Sequence, residues 1–230
     1  MNIKHNINYF KKGDILKYIG IGLMVGGAIL FIFAWGILYV ISLALLPIGL
    51  VCLMLGISGR SSDADIDACI KEETKNIYVK LEDNFKYKKR ILKHLTPESI
   101  EGFEYNDGVM IKRSKDGSLR SSEYTKAVVY MLADELYITE RNVSLVSQNT
   151  RNNLYEIPYD IIKDVKIVTE EKKLSFQNKP YNVKTNHLII KYGMGMIVSL
   201  PLQNDVRSLQ LAEKITKVME SYKKAQASDT

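Results

Sequence analysis

The sequence predicts a membrane-anchored α+β protein: an N-terminal transmembrane helical hairpin, a long amphipathic helix, then an antiparallel β-barrel or sandwich with a C-terminal helix. Three observations predict it. The 42 residues from Tyr18 to Gly59 contain no Asp, Glu, Lys or Arg; the apolar period changes from helical to alternating near residue 98; and it turns helical again before the C-terminus. The expected segments are 1–17, a cytosolic tail; 18–59, the hairpin; 60–96, a juxtamembrane helix; 97–225, the β-domain with its helix; and 226–230, a polar tail. An overall 46% hydrophobic content is ordinary, so the information lies in its uneven distribution.

One helix needs roughly 20 residues to cross about 30 Å of hydrocarbon. The charge-free run would make a rod of about 63 Å, twice what a single crossing needs. Two helices, about 17–34 and 37–58, joined by a turn at Ala34, Trp35 and Gly36, resolve the excess. Trp favours the membrane interface and Gly accepts the backbone angles of a reversal. A signal peptide would have a shorter apolar core and a small-residue cleavage site, whereas here the apolar run continues. Lys4, Lys11, Lys12 and Lys17 precede the hairpin and Arg60 follows it, so the positive-inside rule places both termini, and the β-domain, in the cytosol at the inner membrane.

Within the first span, "GIGLMVGG" lacks the preceding strand that a nucleotide loop needs. Gly22 and Gly26 instead form a small-xxx-small step expected to pack against the second span or another copy. Between Lys17 and Arg60 neither span carries an Asp, Glu, Lys or Arg to mark an ion path.

After the membrane, Ser62 and Asp65 resemble a capping box. From there Ile66, Ile70, Ile77, Leu81, Phe85, Ile91, Leu92 and Leu95 recur at mostly helical spacing, which predicts one helix of about 30 residues, about 45 Å long. Its acidic start (Asp63, Asp65, Asp67) and basic end (Lys86, Lys88, Lys89, Arg90, Lys93) suit the helix dipole.

Beyond residue 98, Asp107-Gly108, Asp116-Gly117 and Gly193-Met194-Gly195 separate short alternating runs, the pattern of an antiparallel sheet that curves or closes. Asn204 or Asp205 can cap the last helix, whose apolar face runs through Val206, Leu209, Ile215, Val218, Met219 and Tyr222. Leu209, Ile215 and Met219 are its expected plug into the sheet.

"YMLADELYITERNVSL" (130–145) and "IPYDIIKDVKIV" (157–168) carry a resemblance to the pleckstrin-homology-like superfold, especially its bacterial and GRAM-like branches. The similarity covers roughly residues 98–225 and leaves "SKDGSLRSSEY" without a counterpart. It implies a recognition fold. In lipid-binding members, basic residues on and after the first strand hold phosphorylated headgroups, which makes Lys112, Arg113, Lys115 and Arg120 candidates for an anion; a solvated loop is the competing reading. Lys86, Lys88, Lys89, Arg90 and Lys93 are candidates for contact with an anionic membrane surface, or simply a charged helix end.

Several classes are disfavoured. The chain has no HExxH, GxSxG, Walker loop or strand-linked Rossmann fingerprint, so no enzyme is expected. Cys52 and Cys69, and His5, His94 and His187, are not spaced as metal ligands, so no metal or cofactor is expected. A net charge of +6 without a reader motif does not predict nucleic-acid binding. The expected function is a membrane-anchored recognition or assembly platform, with the bilayer and a protein, or a second copy, as partners. A two-span effector gated by a nucleotide or other small anion, through Arg113 and Arg120, is the alternative.

Overall fold

The computed structural model describes residues 2–11, 15–33, 36–59, 61–78, 95–202 and 206–228. These form two compact units, residues 1–66 and 67–230. Ala34, Trp35, the basic run from Lys86 to Lys93 and the capping candidates Asn204 and Asp205 lie outside the described residues.

In the first unit, α1 (Ile3–Lys11), α2 (Ile15–Phe33) and α3 (Ile37–Ile57) precede α4, which spans Asp63–Glu73 and runs on into the second unit. The two apolar helices reproduce the expected hairpin. Gly36 caps α3 with φ 67° and ψ −131°, a region that side chains with a Cβ rarely enter. Phe31 and Tyr39 stack at 5.0 Å on either side of that tip.

The helix-packing glycines differ from those expected. A Cβ on Gly22 or Gly26 would meet nothing within 4 Å, so this step faces away from the second span. Gly20 and Gly49 make the close approach instead: a Cβ on Gly20 would lie 2.5 Å from Leu53 N and 2.8 Å from Gly49 O. Gly56 meets Lys17 N at 2.7 Å, and Gly27 meets Leu45 Cβ at 3.1 Å. Pairs seven apart, Gly20 with Gly27 and Gly49 with Gly56, return to one face after two helical turns.

The expected N-terminal tail is largely helix α1. Its polar side chains tie the start of the chain to the exit of α3: Asn8 Nδ2 donates to Gly59 O at 2.6 Å, Ser61 Oγ to Asn6 Oδ1 at 2.6 Å, and Tyr9 OH to Asp63 Oδ1 at 2.6 Å. The two ends of the hairpin are therefore joined. The Ser62/Asp65 box forms reciprocally, with Ser62 N donating to Asp65 Oδ2 (2.7 Å) and Asp65 N to Ser62 Oγ (3.2 Å).

The predicted long helix over 60–96 is not continuous. α4 ends at Glu73; Thr74 turns its hydroxyl back onto Ile70 O at 2.8 Å, and residues 74–78 leave helical geometry. The cause is tertiary. Ile77 is buried with Val128, Tyr130, Leu132 and Tyr137, and its carbonyl accepts from Thr139 Oγ1 at 3.3 Å.

The β-unit has strands β1 (Glu98–Glu104), β2 (Ile111–Arg113), β3 (Leu119–Ser121), β4 (Glu123–Met131), β5 (Glu135–Ser144), β6 (Thr150–Pro158), β7 (Ile162–Phe176), β8 (Lys179–Tyr192) and β9 (Met196–Leu202). Helix α5 (Val206–Ser228) follows. The sheets are antiparallel, in orders β1-β4-β5-β6, β2-β3 and β7-β8-β9. Among the described residues they do not close into the expected barrel; they form an antiparallel α+β arrangement with a C-terminal helix. The "SKDGSLRSSEY" segment supplies the turn and second strand of the small β2–β3 hairpin between β1 and β4.

Turn chemistry matches the sequence at Gly108, Gly117, Gly193 and Gly195, all with positive φ. It was missed at Gln177-Asn178, a two-residue reversal with φ 52° and 61° that joins β7 and β8 into one long hairpin.

One core lies between the larger sheets and α5. Leu211, Ala212 and Ile215 are buried in it, with Val218, Met219 and Tyr222 packed alongside. Leu211 and Ala212 were not among the expected plug residues, and the side chain of Leu209 is outside the described set. The "IPYDII" phrase bends here: Tyr159 starts a 3-10 turn, is fully buried, donates to Leu132 O at 3.0 Å and lies 5.6 Å from the Tyr222 ring.

Candidate functional site

The anion cluster read from sequence is divided by the pleat. Lys112 pairs with Arg120 in register and shares its face, whereas Arg113, next to Lys112 and paired with Leu119, points to the other face. Arg120 is buried, its Nη1 2.5 Å from Asp67 Oδ1 and Nη2 3.2 Å from Asp67 Oδ2. Arg113 Nη1 donates to Gly117 O at 2.8 Å, closing its own turn. Beside exposed Lys115, Asp116 accepts from Ser118 N at 2.8 Å and from the Ser114 and Ser118 hydroxyls. The Ser114 hydroxyl first, then Ser118, holds the Asp116 carboxyl well below the usual range, and that fixed negative charge further weakens the loop as an anion cradle. A phosphate needs convergent donors, and here Arg113 and Arg120 lie on opposite faces, each already held by an acceptor of the protein.

A different site emerges from strand register. One face of the four-stranded sheet stacks Met131, Leu136 and Ile157, then Val129, Ile138 and Tyr155, then Ala127, Glu140 and Asn153. Thr125, Asn142 and Arg151 follow, and Glu104, Glu123 and Ser144 complete it. Along this one face the side chains pass from core to polar.

A cavity of about 520 Å³ opens over the polar rows, where Glu104, Thr125, Glu140, Asn142 and Arg151 meet Glu170, Lys172, His187 and Ser199 of the second sheet. Glu140 is 8% exposed, and its Oε2 accepts from Asn153 Nδ2 at 2.9 Å and Tyr155 OH at 2.8 Å. Burial, reinforced by that bond to a carboxylate, pushes the Tyr155 phenol well above its usual range. Lys172 pairs with Glu170 at 3.2 Å.

Burial raises the Glu104 carboxyl above its usual 4.5; a Thr125 hydrogen bond opposes this, and the charges of Glu140 and Glu123 add to it. Thr125 Oγ1 also lies 2.5 Å from Asn142 Oδ1. One hydroxyl proton cannot serve both oxygens. Turning the Asn142 amide so that Nδ2 donates to Thr125 satisfies the chain of bonds.

His187 is 7% exposed, and its Nδ1 lies 3.2 Å from Ser199 Oγ. Burial lowers its pKa from the ordinary 6.5, the Glu170 charge partly countering, so the ring is neutral at pH 7. The cavity therefore offers carboxylates, two basic side chains and neutral donors within one volume. It suits a polar group that both gives and accepts hydrogen bonds. Among the described residues no cluster of His, Cys, Asp and Glu can hold a metal ion.

These residues are scattered over the sequence from 104 to 199, and only the pairing of seven strands gathers them. Alternation at Thr125, Asn142 and Arg151, polar on the face that is apolar two residues on in β4 (Ala127) and four and six residues away in β5 and β6 (Ile138 and Ile157), was the available signal. No protein-family model, curated protein or solved structure matches the chain.

Proposed function

We propose that this protein is a membrane-tethered, cytosol-facing recognition module in which the β-unit binds a polar group of a partner at the cavity and carries out no chemistry of its own. The observation that carries the reading is the cavity, polar and two-signed at one end of a face whose other end is core. Support for the tether comes from the two apolar helices. Leu16–Phe33 and Leu38–Ile57 are long and apolar enough to cross a membrane, with only 11% and 17% of their residues buried by protein, so most of their apolar surface needs hydrocarbon. The bonds joining α1 to the exit of α3 favour both ends of the hairpin on one side, and the flanking lysines favour the cytosol.

The strand order, four then three antiparallel strands and a terminal helix, supports the pleckstrin-homology-like reading. A nucleotide-gated effector has less to stand on, since Arg113 and Arg120 are engaged by Gly117 and Asp67.

The test is gentle detergent extraction followed by mass spectrometry, comparing the native chain with Arg151→Ala and Glu140→Gln. A stoichiometric companion retained by the native chain and lost from both folded variants is expected; a companion bound equally by all three overturns the cavity as the recognition site. Protease treatment of sealed vesicles reports sidedness separately, and a β-unit cut only from the non-cytoplasmic face reverses the topology.

A further inference from the structure

The turn between β8 and β9 displays apolar side chains outside every core cluster. Met194 is 102% exposed, held between Gly193 (φ 51°) and Gly195 (φ 95°). Met196 (51%) and Ile197 (57%) follow it. Ile161 (37%) lies beside them, because Gly193 N donates to Ile161 O at 3.0 Å. Single exposed apolar residues are commonplace, but four gather at this turn tip, Met196 and Ile197 on opposite faces of β9, so that apolar surface wraps the tip.

The charges around this tip are mixed but mostly basic. Lys191 sits opposite Ile197 on one side and Asp164 on the other, Lys163 is exposed beside Ile162, and Lys223 Nζ donates to Ile162 O at 3.1 Å. Against them stand Asp160 and Asp164, the latter 3.1 Å from Lys166. Lys163, Lys166, Lys191 and Lys223 outnumber the two carboxylates.

We propose that this Met194 turn docks into the interfacial region of an anionic lipid bilayer, a second membrane contact besides the apolar helices. Methionine is unbranched and adapts to a disordered apolar medium, while lysines lay their stems along it and keep their ammonium groups at the headgroups. An anionic leaflet attracts such lysines within a Debye length. Four side chains at a turn tip fall short of the ~800 Å² per side that a stable protein partner covers. The proposal rests on the tethered reading in one respect: the hairpin keeps the turn within reach of a bilayer.

The experiment uses the full chain with Cys52→Ala and Cys69→Ala, reconstituted in vesicles of phosphatidylcholine alone or mixed with phosphatidylglycerol, and bimane on Met194→Cys. A second sample carries bimane on Lys115→Cys instead. Doxyl-labelled lipid should quench the label at 194, with a blue shift, in the anionic vesicles, and raising salt from 0.1 to 1 M, which shortens the Debye length from about 10 to about 3 Å, should reduce the quenching. The label at 115 should stay solvated. Unquenched label at 194, a blue shift without doxyl quenching (which would indicate a protein cover), or stronger quenching at 115 each overturns the proposal. Flotation of the protein with the vesicles is read in the same samples: failure to float refutes the tether, while flotation with a solvated Met194 refutes only the docking turn.

Discussion

Arg120 on β3 grips Asp67 on α4 with both terminal nitrogens, at 2.5 and 3.2 Å, its own side chain 9% exposed and that of Asp67 58%. A guanidinium cannot shed its proton in a protein, so once buried it depends on its acceptor. Asp67→Ala should destabilise the β-unit by about 1–3 kcal/mol, less than for a fully buried pair because water can reach the carboxylate side. Arg120→Lys should not restore the loss, since one ammonium cannot match the two-pronged contact. Thermal unfolding of the solubilised chain, followed through its tyrosine signals, measures both.

The glycines of the first span provide a contrast within one helix. Gly20→Val should force the helices apart at Gly49 and Leu53, at about 1–3 kcal/mol, as overpacking does elsewhere. Gly26→Val, six residues away on the open side, should leave hairpin stability unchanged or slightly improved, because Gly is a weak helix former. Thermal denaturation of the detergent-solubilised variants ranks them; equal losses would show that the hairpin packs on another face.

Ile77 tests where the segment after α4 belongs. It is 6% exposed against Val128, Tyr130, Leu132 and Tyr137, so Ile77→Ala should cost about 2–4 kcal/mol. Denaturant unfolding would record the loss. A residue on a solvated stalk would show almost none.

His187 makes stability depend on pH with a defined sign. Its folded pKa is below the ordinary 6.5, so between 6.5 and that lower value the unfolded chain binds more protons and stability falls as the solution is acidified. Glu104 works the other way: its folded pKa is above 4.5, so acidification through that value towards 4.5 relieves a penalty. His187→Gln should remove the first effect and leave the second. The difference in melting temperature between variant and native chain should therefore grow in the variant's favour from pH 7.5 to pH 5.5.

Local pattern determined a good deal about this protein. A charge-free run of double length specifies two apolar helices, Gly36 supplies a backbone free to take a positive φ before α3, the Ser62/Asp65 box starts α4, and alternation with Gly-marked turns gives the β-strands. Each depends on residues adjacent in the chain, where spacing alone sets which side chains meet.

Tertiary contact decided the rest. Gly22 and Gly26 have the same local signature as the glycines that pack, and only the rotation of α2 against α3 selects Gly20 and Gly27. The helical stripe after Ser62 could continue on paper, but α4 stops at Glu73, and Val128, Tyr130 and Tyr137 of β4 and β5, with Leu132 of the turn between them, bury Ile77 beyond it. Arg120 looks like a free cation until Asp67, 53 residues earlier in the chain, closes on it. The cavity is the clearest case: its polar rows exist because antiparallel register stacks alternate residues of distant strands, a long-range pairing that no local window contains.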